Sequence, residues 1–399
     1  MPKVCADCGP DAVDHFTEWM NGLLECFFYP FSQIFGGISR VTVKFLRPLA
    51  PSPKMMLAFF KFLVSIGIGI IYEGSNEHDS LRTKALWESA IKREIKMWKF
   101  RLFETRGLSI FVATKNNKWL IFEGLPRPAD NNPAALAWMD NKAILKKKLS
   151  KAGFPVARGG AYFFYFSALR TFNRIDKPVI TKPHIGSRSR HTTVHLNDSA
   201  EFRKAFYKAK QLSPFAIVEE ALTGMVHRAS IINGKLEGII RREPPFVIGD
   251  GKTTLKKLWE QENTRPERRG QIFHEIPNGE ETEIELKKQG YSWRSIPKAG
   301  VMVFFHQKVS RAFGASTTDF TNTAHPDNVK LFEDLSAYLK DAVVGIDFII
   351  QDITKSWRKQ KKCGVIELNS LPFLDLHHYP LNGEPHDVCG KLWDLVFKL

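Results

Sequence analysis

Two apolar runs toward the C-terminal end constrain this chain most, because each is too uniformly hydrophobic for a surface and each carries an acid. Val-Val-Gly-Ile-Asp-Phe-Ile-Ile at 343–350 sets Asp347 among apolar and Gly neighbours, and Gly-Val-Ile-Glu-Leu-Asn at 364–369 sets Glu367 two residues before Asn369. Short runs of this β-branched character read as buried strands. Alternation along a strand puts Glu367 and Asn369 on one face, and the polar stretch 351–362 can pair that strand with the one bearing Asp347. Three oxygen donors then converge on rigid backbone. Such a set suits a hard cation such as Mg²⁺, whose coordination is commonly completed by nucleotide phosphates. A Glu-x-Asn in a strand is by itself more often a salt-bridged or capping pair, so the rest of the chain decides.

With 399 residues, 43% of them hydrophobic and 12% aromatic, the chain supports two or three cored domains and is not disordered. A net charge of +16, scattered along the sequence, suits anionic partners such as nucleotides, acidic peptides, nucleic acid or a membrane surface, but no nucleic-acid motif accompanies it. Five cysteines give no disulfide framework and suit a reducing, cytoplasmic setting. Cys5 and Cys8 form a Cys-x-x-Cys with His15 and Cys26 downstream, the beginning of a zinc pattern that lacks a second ligand pair at the usual spacing. The N-terminus lacks the order of a signal peptide. Residues 55–72 are nearly all apolar, but Lys61 interrupts them and Gly67 and Gly69 lie among β-branched residues, which reads as a helix followed by a buried strand rather than a membrane span.

Residues 1–50 form an aromatic-rich leader in which Phe16, Trp19, Leu23, Phe27, Phe31 and Phe35 approach helical spacing. It is expected to pack on the next domain, with membrane or partner contact as the alternative. Residues 51–131 read as a small α/β domain: a long helix from Ser80 carrying Leu81, Leu86, Trp87, Ile91, Ile95 and Trp98, then a hairpin around Thr-Lys-Asn-Asn at 114–117. Alternating strands and helices fill 132–215 and 216–399, an α+β body without internal repeats.

Lys-Pro-Val-Ile-Thr-Lys-Pro at 177–183 is a short strand that delivers Lys182 to the loop His-Ile-Gly-Ser-Arg-Ser-Arg-His at 184–191. Gly186, Ser187 and Arg190 there offer backbone and cationic donors suited to phosphate, although the loop is not a Walker sequence. Pro-Phe-Ala-Ile-Val-Glu-Glu-Ala-Leu at 214–222 ends a second strand in adjacent acids, one of which must point inward while the backbone beside it can meet an adenine edge. A hairpin turning on Asn233-Gly234 carries Arg228 and leads to Arg241-Arg242, and Gly-Asp-Gly-Lys-Thr-Thr-Leu at 249–255 opens a helix.

Taken together and in order, these stretches resemble the ATP-grasp superfamily, and more narrowly the ATP-grasp portion of cyanophycin synthetase and of the bifunctional glutathione-synthesising ligases. The resemblance runs over about 140–376 and rests on Asp140-Asn-Lys, Ala-Gly-Phe-Pro-Val, Val-Ile-Thr-Lys-Pro, Glu219-Glu220, Gly-Asp-Gly-Lys-Thr-Thr-Leu, Gly290-Tyr-Ser-Trp, His325-Pro-Asp-Asn, Gly-Ile-Asp and Ile-Glu-Leu-Asn-Ser-Leu-Pro. It implies two α+β lobes clasping ATP, with boundaries near 132–215 and 216–399, behind the N-terminal α/β domain and helical leader. It also implies an ATP-dependent carboxylate–amine ligase acting on an amino acid or peptide through an acylphosphate, with a homo-oligomeric assembly possible.

By the same resemblance Lys142 and Lys182 contact phosphates, with Gly186, Ser187 and Arg190 in the phosphate loop. Glu219, Glu220, Ala221 and Leu222 hold adenine, Asp347, Glu367 and Asn369 bind Mg²⁺, and Arg228, Arg241 and Lys308 attend the reacting groups. Two departures fall at the substrate end, where the family's Ser-Thr-Gly-Gly-Thr turn is Ala-Phe-Gly-Ala-Ser at 312–316 and an expected Arg is replaced by His306-Gln307-Lys308. They leave the substrate open, and they keep in view a module that binds nucleotide without ligating.

Overall fold

The computed structural model describes residues 5, 14–24, 52–102, 109–128, 138–139, 141–184, 190–270, 272–307, 309 and 311–399. A helix spans 15–24, opened by Asp14, whose carboxylate accepts from Phe16 N at 3.1 Å. Phe27, Phe31 and Phe35 of the leader lie outside the described residues. The apolar stretch at 55–72 becomes the helix Pro53–Ser65 and the strand β1 (Gly69–Tyr72). Among the described residues no helix is long and apolar enough to cross a membrane.

β1 joins β2 (Lys96–Leu102), β3 (Ser109–Lys115) and β4 (Lys118–Glu123) in an antiparallel sheet in chain order. The helix from Ser80 is shorter than its apolar pattern suggests: it covers Leu81–Ile91, and Trp98 sits on β2. Arg93 and Glu94 form a turn with Glu94 at φ 54°, and the Lys-Met-Trp-Lys-Phe-Arg-Leu that follows alternates, a period-2 signal masked by the helical spacing of Ile95 and Trp98. Asn116 and Asn117, at φ 49° and 60°, close the β3–β4 hairpin with the left-handed pair that a two-residue turn demands. The helix Leu81–Ile91 shares a core with the last helix, Val388–Phe397, where Trp393 is fully buried and its Nε1 donates to Leu86 O at 3.0 Å. Arg93 locks the pair through Asp387 at 2.7 Å and Asp394 at 2.6 Å.

A second four-stranded sheet has the order β5 (Gly159–Tyr162), β8 (Ala216–Glu220), β6 (Val179–Pro183), β7 (Thr193–Leu196). The helices Tyr165–Arg174 and Ser199–Ala209 pack on it through Phe172, Phe202 and Phe206. The third sheet, with five strands, runs β13 (Ser316–Asp319), β10 (Lys235–Glu243), β9 (Met225–Ile232), β14 (Val343–Ile350), β15 (Gly364–Asn369). One face of it, with Ala229, Ile231, Ile239, Val344, Ile346 and Phe348, packs on the helix Pro326–Leu339. The other face is the polar one described below. A two-stranded ribbon, β11 (Phe246–Ile248) and β12 (Met302–Phe304), completes the body.

The chain crosses from the second sheet to the third at 221–224. Thr223 N donates to Lys362 O at 2.8 Å, and Gly224 turns the corner at φ 120° with no room for a side chain: a Cβ there would lie 2.2 Å from the Ile350 carbonyl and 2.4 Å from Gln351 N. Backbone would have to move to admit it. Gly224→Ala is therefore expected to lower unfolding free energy by about 3 kcal/mol, the sum of a left-handed alanine and an overpacked contact. Urea denaturation would check this; an unchanged midpoint would remove Gly224 from the account of the crossover.

Candidate active site

The space between the second and third sheets is lined by Lys142, Lys146, Lys182, Glu219, Val156, Ala157, Val365 and Ile366. Each wall has a local origin. Asn141 caps the helix Lys142–Lys151, its Oδ1 accepting from Ala143 N and Ile144 N at 3.1 Å each. That cap fixes the helical phase, so Leu145 and Leu149 enter the core while Lys142 and Lys146, four apart, share the rim. On β6 and β8 the register sets Ile180 against Glu219 and Lys182 against Ile217, so Lys182 and Glu219 project from the same face. Val156 bridges in parallel to Val365 and holds β15 against the first wall.

Glu219 is the centre of this wall. Its Oε1 is 2.6 Å from Lys182 Nζ, and its Oε2 meets Lys146 Nζ. Burial alone would raise its pKa, but the two ammonium groups outweigh burial and bring the carboxyl down to about 2. Burial in turn lowers Lys146, against the pull of Glu219. Glu220 faces the other way and is held by Arg158, whose backbone N, Nε and Nη2 reach it at 2.9, 3.0 and 2.8 Å. With the lysines folded onto Glu219 the remaining space is only about 10 Å³, room for one water. Ala221 is buried and donates its N–H to Pro178 O at 2.9 Å; Leu222, next along the crossover, is half-buried.

Asp347 and Glu367 are directly opposed across β14 and β15, and Gly345 opposes Asn369, so the three oxygen donors do come together on the polar face of the third sheet. Asp347 is not open, however. Arg228, its neighbour across β9, grips both oxygens, Nε on Oδ1 and Nη2 on Oδ2 at 2.6 Å, in a fully buried pair. Glu367 and Asn369 are half-buried, and the Nδ2 of Asn369 is buried without a partner. A free carboxylate beside an amide oxygen fits a hard cation; Asp347 fits only through the lone pairs that Arg228 leaves.

Two more guanidinium groups belong to this face. Arg242 lies on the same face as Arg228, and burial lowers its pKa, with the charges of Arg228 and Arg311 adding to that effect against the attraction of Asp347. Arg311 pairs with Asp375 at 3.0 Å and keeps its Nε and Nη2 buried and unpartnered, as Arg228 keeps its Nη1. Among the described residues these N–H donors are buried and unspent, the chemistry that an anion's oxygens satisfy. Arg241 is elsewhere: it opposes His227 on the other face, pairs with Glu243 at 2.6 Å and lies over Phe320 at 4.7 Å. Arg190 sits in the turn before β7. Gly186, Ser187 and Lys308, with Asp140, lie outside the described residues.

Several motifs prove structural. Asp250 ties the Gly-Asp-Gly turn by accepting from Lys252 N, Thr253 N and Thr253 Oγ1, and Thr254 caps the helix Leu255–Asn263. His325 caps the helix Pro326–Leu339, and Asn328 clasps the β14–β15 loop through Ile353 O, Lys355 O and Trp357 N. His306 stacks on Phe313 with ring centres 4.7 Å apart and meets Glu281 at 2.8 Å. Lys146, Arg242 and Arg311 were missed by sequence reasoning. The four-residue spacing from Lys142 is a signal for the first.

No family model matches the chain. Among curated proteins it is 28% identical over 324 residues to the glutathione biosynthesis bifunctional protein of Clostridium perfringens, covering 79% of this chain and 41% of that protein. It is 27% identical over 261 residues to cyanophycin synthetase of Trichormus variabilis, covering 64% and 29%. The chain thus spans less than half the length of these relatives. Among solved structures, a bifunctional glutathione synthetase from Pasteurella multocida superposes with a TM-score of 0.61 at 22% identity, over 79% of this chain and 44% of that one. In its motif order and its relatives the chain is similar to the ATP-grasp ligases, and its α+β lobes have the fold of the solved glutathione synthetase.

Proposed function

We propose that the protein is an ATP-dependent carboxylate–amine ligase that joins an amino acid or peptide carboxylate to an amine, releasing ADP and phosphate. The observation that carries this reading is that Lys142, Lys146, Lys182 and Glu219 share one space with Val365 and Ile366 of the strand that also bears Glu367 and Asn369, beside the Arg228–Asp347 pair. In this reading Lys146 and Lys182 exchange Glu219 for nucleotide phosphates, and the crossover strand 219–222 offers backbone groups to adenine. Glu367 and Asn369, with Asp347 contributing beside Arg228, would hold Mg²⁺, which neutralises phosphate charge when bound.

The spare donors of Arg228 and Arg311, with Arg242, hold the substrate carboxylate with one oxygen aimed at the γ-phosphorus. That oxygen forms the new P–O bond as the bond to ADP breaks; the amine then attacks the acyl carbon, forming the C–N bond as the C–O bond to phosphate breaks, and gives up a proton. No side-chain nucleophile is required; positioning and charge neutralisation lower the barrier. The activities of the relatives, glutathione and cyanophycin synthesis, support the reaction class and leave the substrate pair to experiment. The free cysteines 363 and 389 accord with a reducing cytoplasm.

The test is release of ADP and phosphate from ATP and Mg²⁺ on adding a mixture of amino acids and short peptides. The expected result is release that needs both a carboxylate and an amine. A second reading, a module that binds nucleotide without ligating, is favoured by one observation: Arg228 occupies both oxygens of Asp347. A nucleotide-induced rise in melting temperature without any ADP release would establish that reading instead.

A further inference from the structure

Where the N-terminal segment meets the end of the 184–191 loop, three soft and borderline ligands come together. Cys5, His15 and His191 each offer one ligand atom, and these atoms all lie within 4.8 Å of one another. Cys5 Sγ is 3.4 Å from His191 Nε2, and the rings of His15 and His191 stand edge to face with centres 4.9 Å apart. A tetrahedral zinc ion with ordinary bond lengths separates a thiolate sulfur from an imidazole nitrogen by roughly 3.5 Å, so the first pair is already spaced for one ion.

The orientation of His191 is the second observation. Its Nδ1 lies 2.9 Å from Lys208 O, and because a carbonyl only accepts, Nδ1 carries the proton and Nε2 presents its lone pair toward Cys5. Anchoring one ring nitrogen on a backbone carbonyl so that the other can ligate is how metal-bound histidines are held. His191 is also fully buried and sits at φ 51°, in the left-handed region uncommon for residues other than glycine.

We propose that Cys5, His15 and His191 form a zinc site that fastens the N-terminal segment to the turn before β7. One thiolate with two imidazoles selects zinc over the hard Mg²⁺ suited to Glu367 and Asn369, so the two sites do not compete. Binding deprotonates the Cys5 thiol, the proton leaving to solvent, and three protein ligands leave a fourth position open. The ligands are 10 and 176 residues apart in sequence, so the ion closes a loop that neither helical spacing nor the Cys5-x-x-Cys8 motif would close.

The experiment is metal analysis of the full chain after exposure to Zn²⁺ and dialysis against a weak chelator, together with the absorption spectrum of the Co²⁺-loaded protein. Wild type is expected to retain about one equivalent and to show the ligand-field bands of tetrahedral Co²⁺ with a thiolate charge-transfer band. Cys5→Ser should lose the charge-transfer band, and His191→Gln and His15→Gln should each lose the zinc. His15→Gln is half-buried in the leader helix and guards against misfolding as the cause. Absence of zinc from wild type overturns the proposal. So does zinc that is lost from Cys5→Ser but kept by His191→Gln, since the ion would then belong to the N-terminal segment alone.

Discussion

Glu367→Ala should reduce carboxylate-dependent ADP release at least about a hundredfold, the scale on which removal of one preorganised charge-stabilising group acts, while leaving the fold intact. The choice of residue matters. Glu367 is half-buried and takes part in no ion pair among the described residues, so its removal breaks no ion pair, although it withdraws a negative charge from near Arg228 and Arg242. Asp347 is no such probe: its loss would leave the buried Arg228 guanidinium without its carboxylate, a change that costs about 3–5 kcal/mol of stability and confounds any loss of turnover. Thermal melting beside the activity assay separates the two. Unchanged ADP release from a folded Glu367→Ala protein would remove this carboxylate from the metal set.

The second large effect is on stability in mild acid. His184, His227 and His377 are all buried, and burial is the leading cause that lowers their pKa values, to about 4, 4 and 3. His227 donates from Nδ1 to Met225 O at 3.0 Å, and His377 pairs through Nε2 with Ser230 Oγ at 2.7 Å. Each is held as the neutral ring, whereas in the unfolded chain each titrates near 6.5. Between those values the unfolded state binds more protons, so stability is present above about pH 6.5 and is lost as pH falls toward 4. At pH 5 the loss is about 2 kcal/mol per histidine, and the three together are a large part of the stability of an ordinary domain. Glu219 adds little at pH 5: with its carboxyl lowered from 4.5 to about 2, the stability it provides is present above about pH 4.5 and is lost as pH falls from there toward 2. Urea midpoints at pH 7.5 and pH 5 measure this directly. Equal midpoints would mean that the rings accept protons in the folded protein.

What the sequence disclosed of the site follows strand alternation. Asp347 opposite Glu367, Glu367 beside Asn369, Lys182 at a strand end and one of two adjacent glutamates turned inward are consequences of a period of two, and each is found in the fold. Arg241 and Arg242 show where that reasoning ends. Counted back from the Asn233-Gly234 turn without interruption, Arg228 would pair with Ile239 and Arg241 would share its face. A bulge between Leu236 and Gly238 adds one residue to β10, pairs Arg228 with Ile240 and delivers Arg242 instead. Nothing local in Leu-Glu-Gly announces that bulge. It accompanies a close approach in which a Cβ on Gly238 would lie 2.4 Å from His377 Nδ1, a contact made 139 residues away.

The same limit applies to the Arg228–Asp347 and Arg311–Asp375 pairs and to the convergence of Cys5 with His191. These are tertiary encounters between segments whose own periodicity carries no sign of the partner. Lys146 is the intermediate case, legible from its four-residue spacing to Lys142 once the Asn141 cap fixes the helix.

The most direct measurement of the central claim is the fate of carboxylate oxygen. Amino acids and peptides labelled with oxygen-18 in their carboxyl groups, supplied with ATP and Mg²⁺, should yield an amide product heavier than its labelled acid component by the amine less one oxygen-18 water. The released phosphate should carry one labelled oxygen, because the attacking carboxylate oxygen leaves with phosphorus. Unlabelled phosphate, or release of AMP and pyrophosphate, would contradict a ligase working through an acylphosphate.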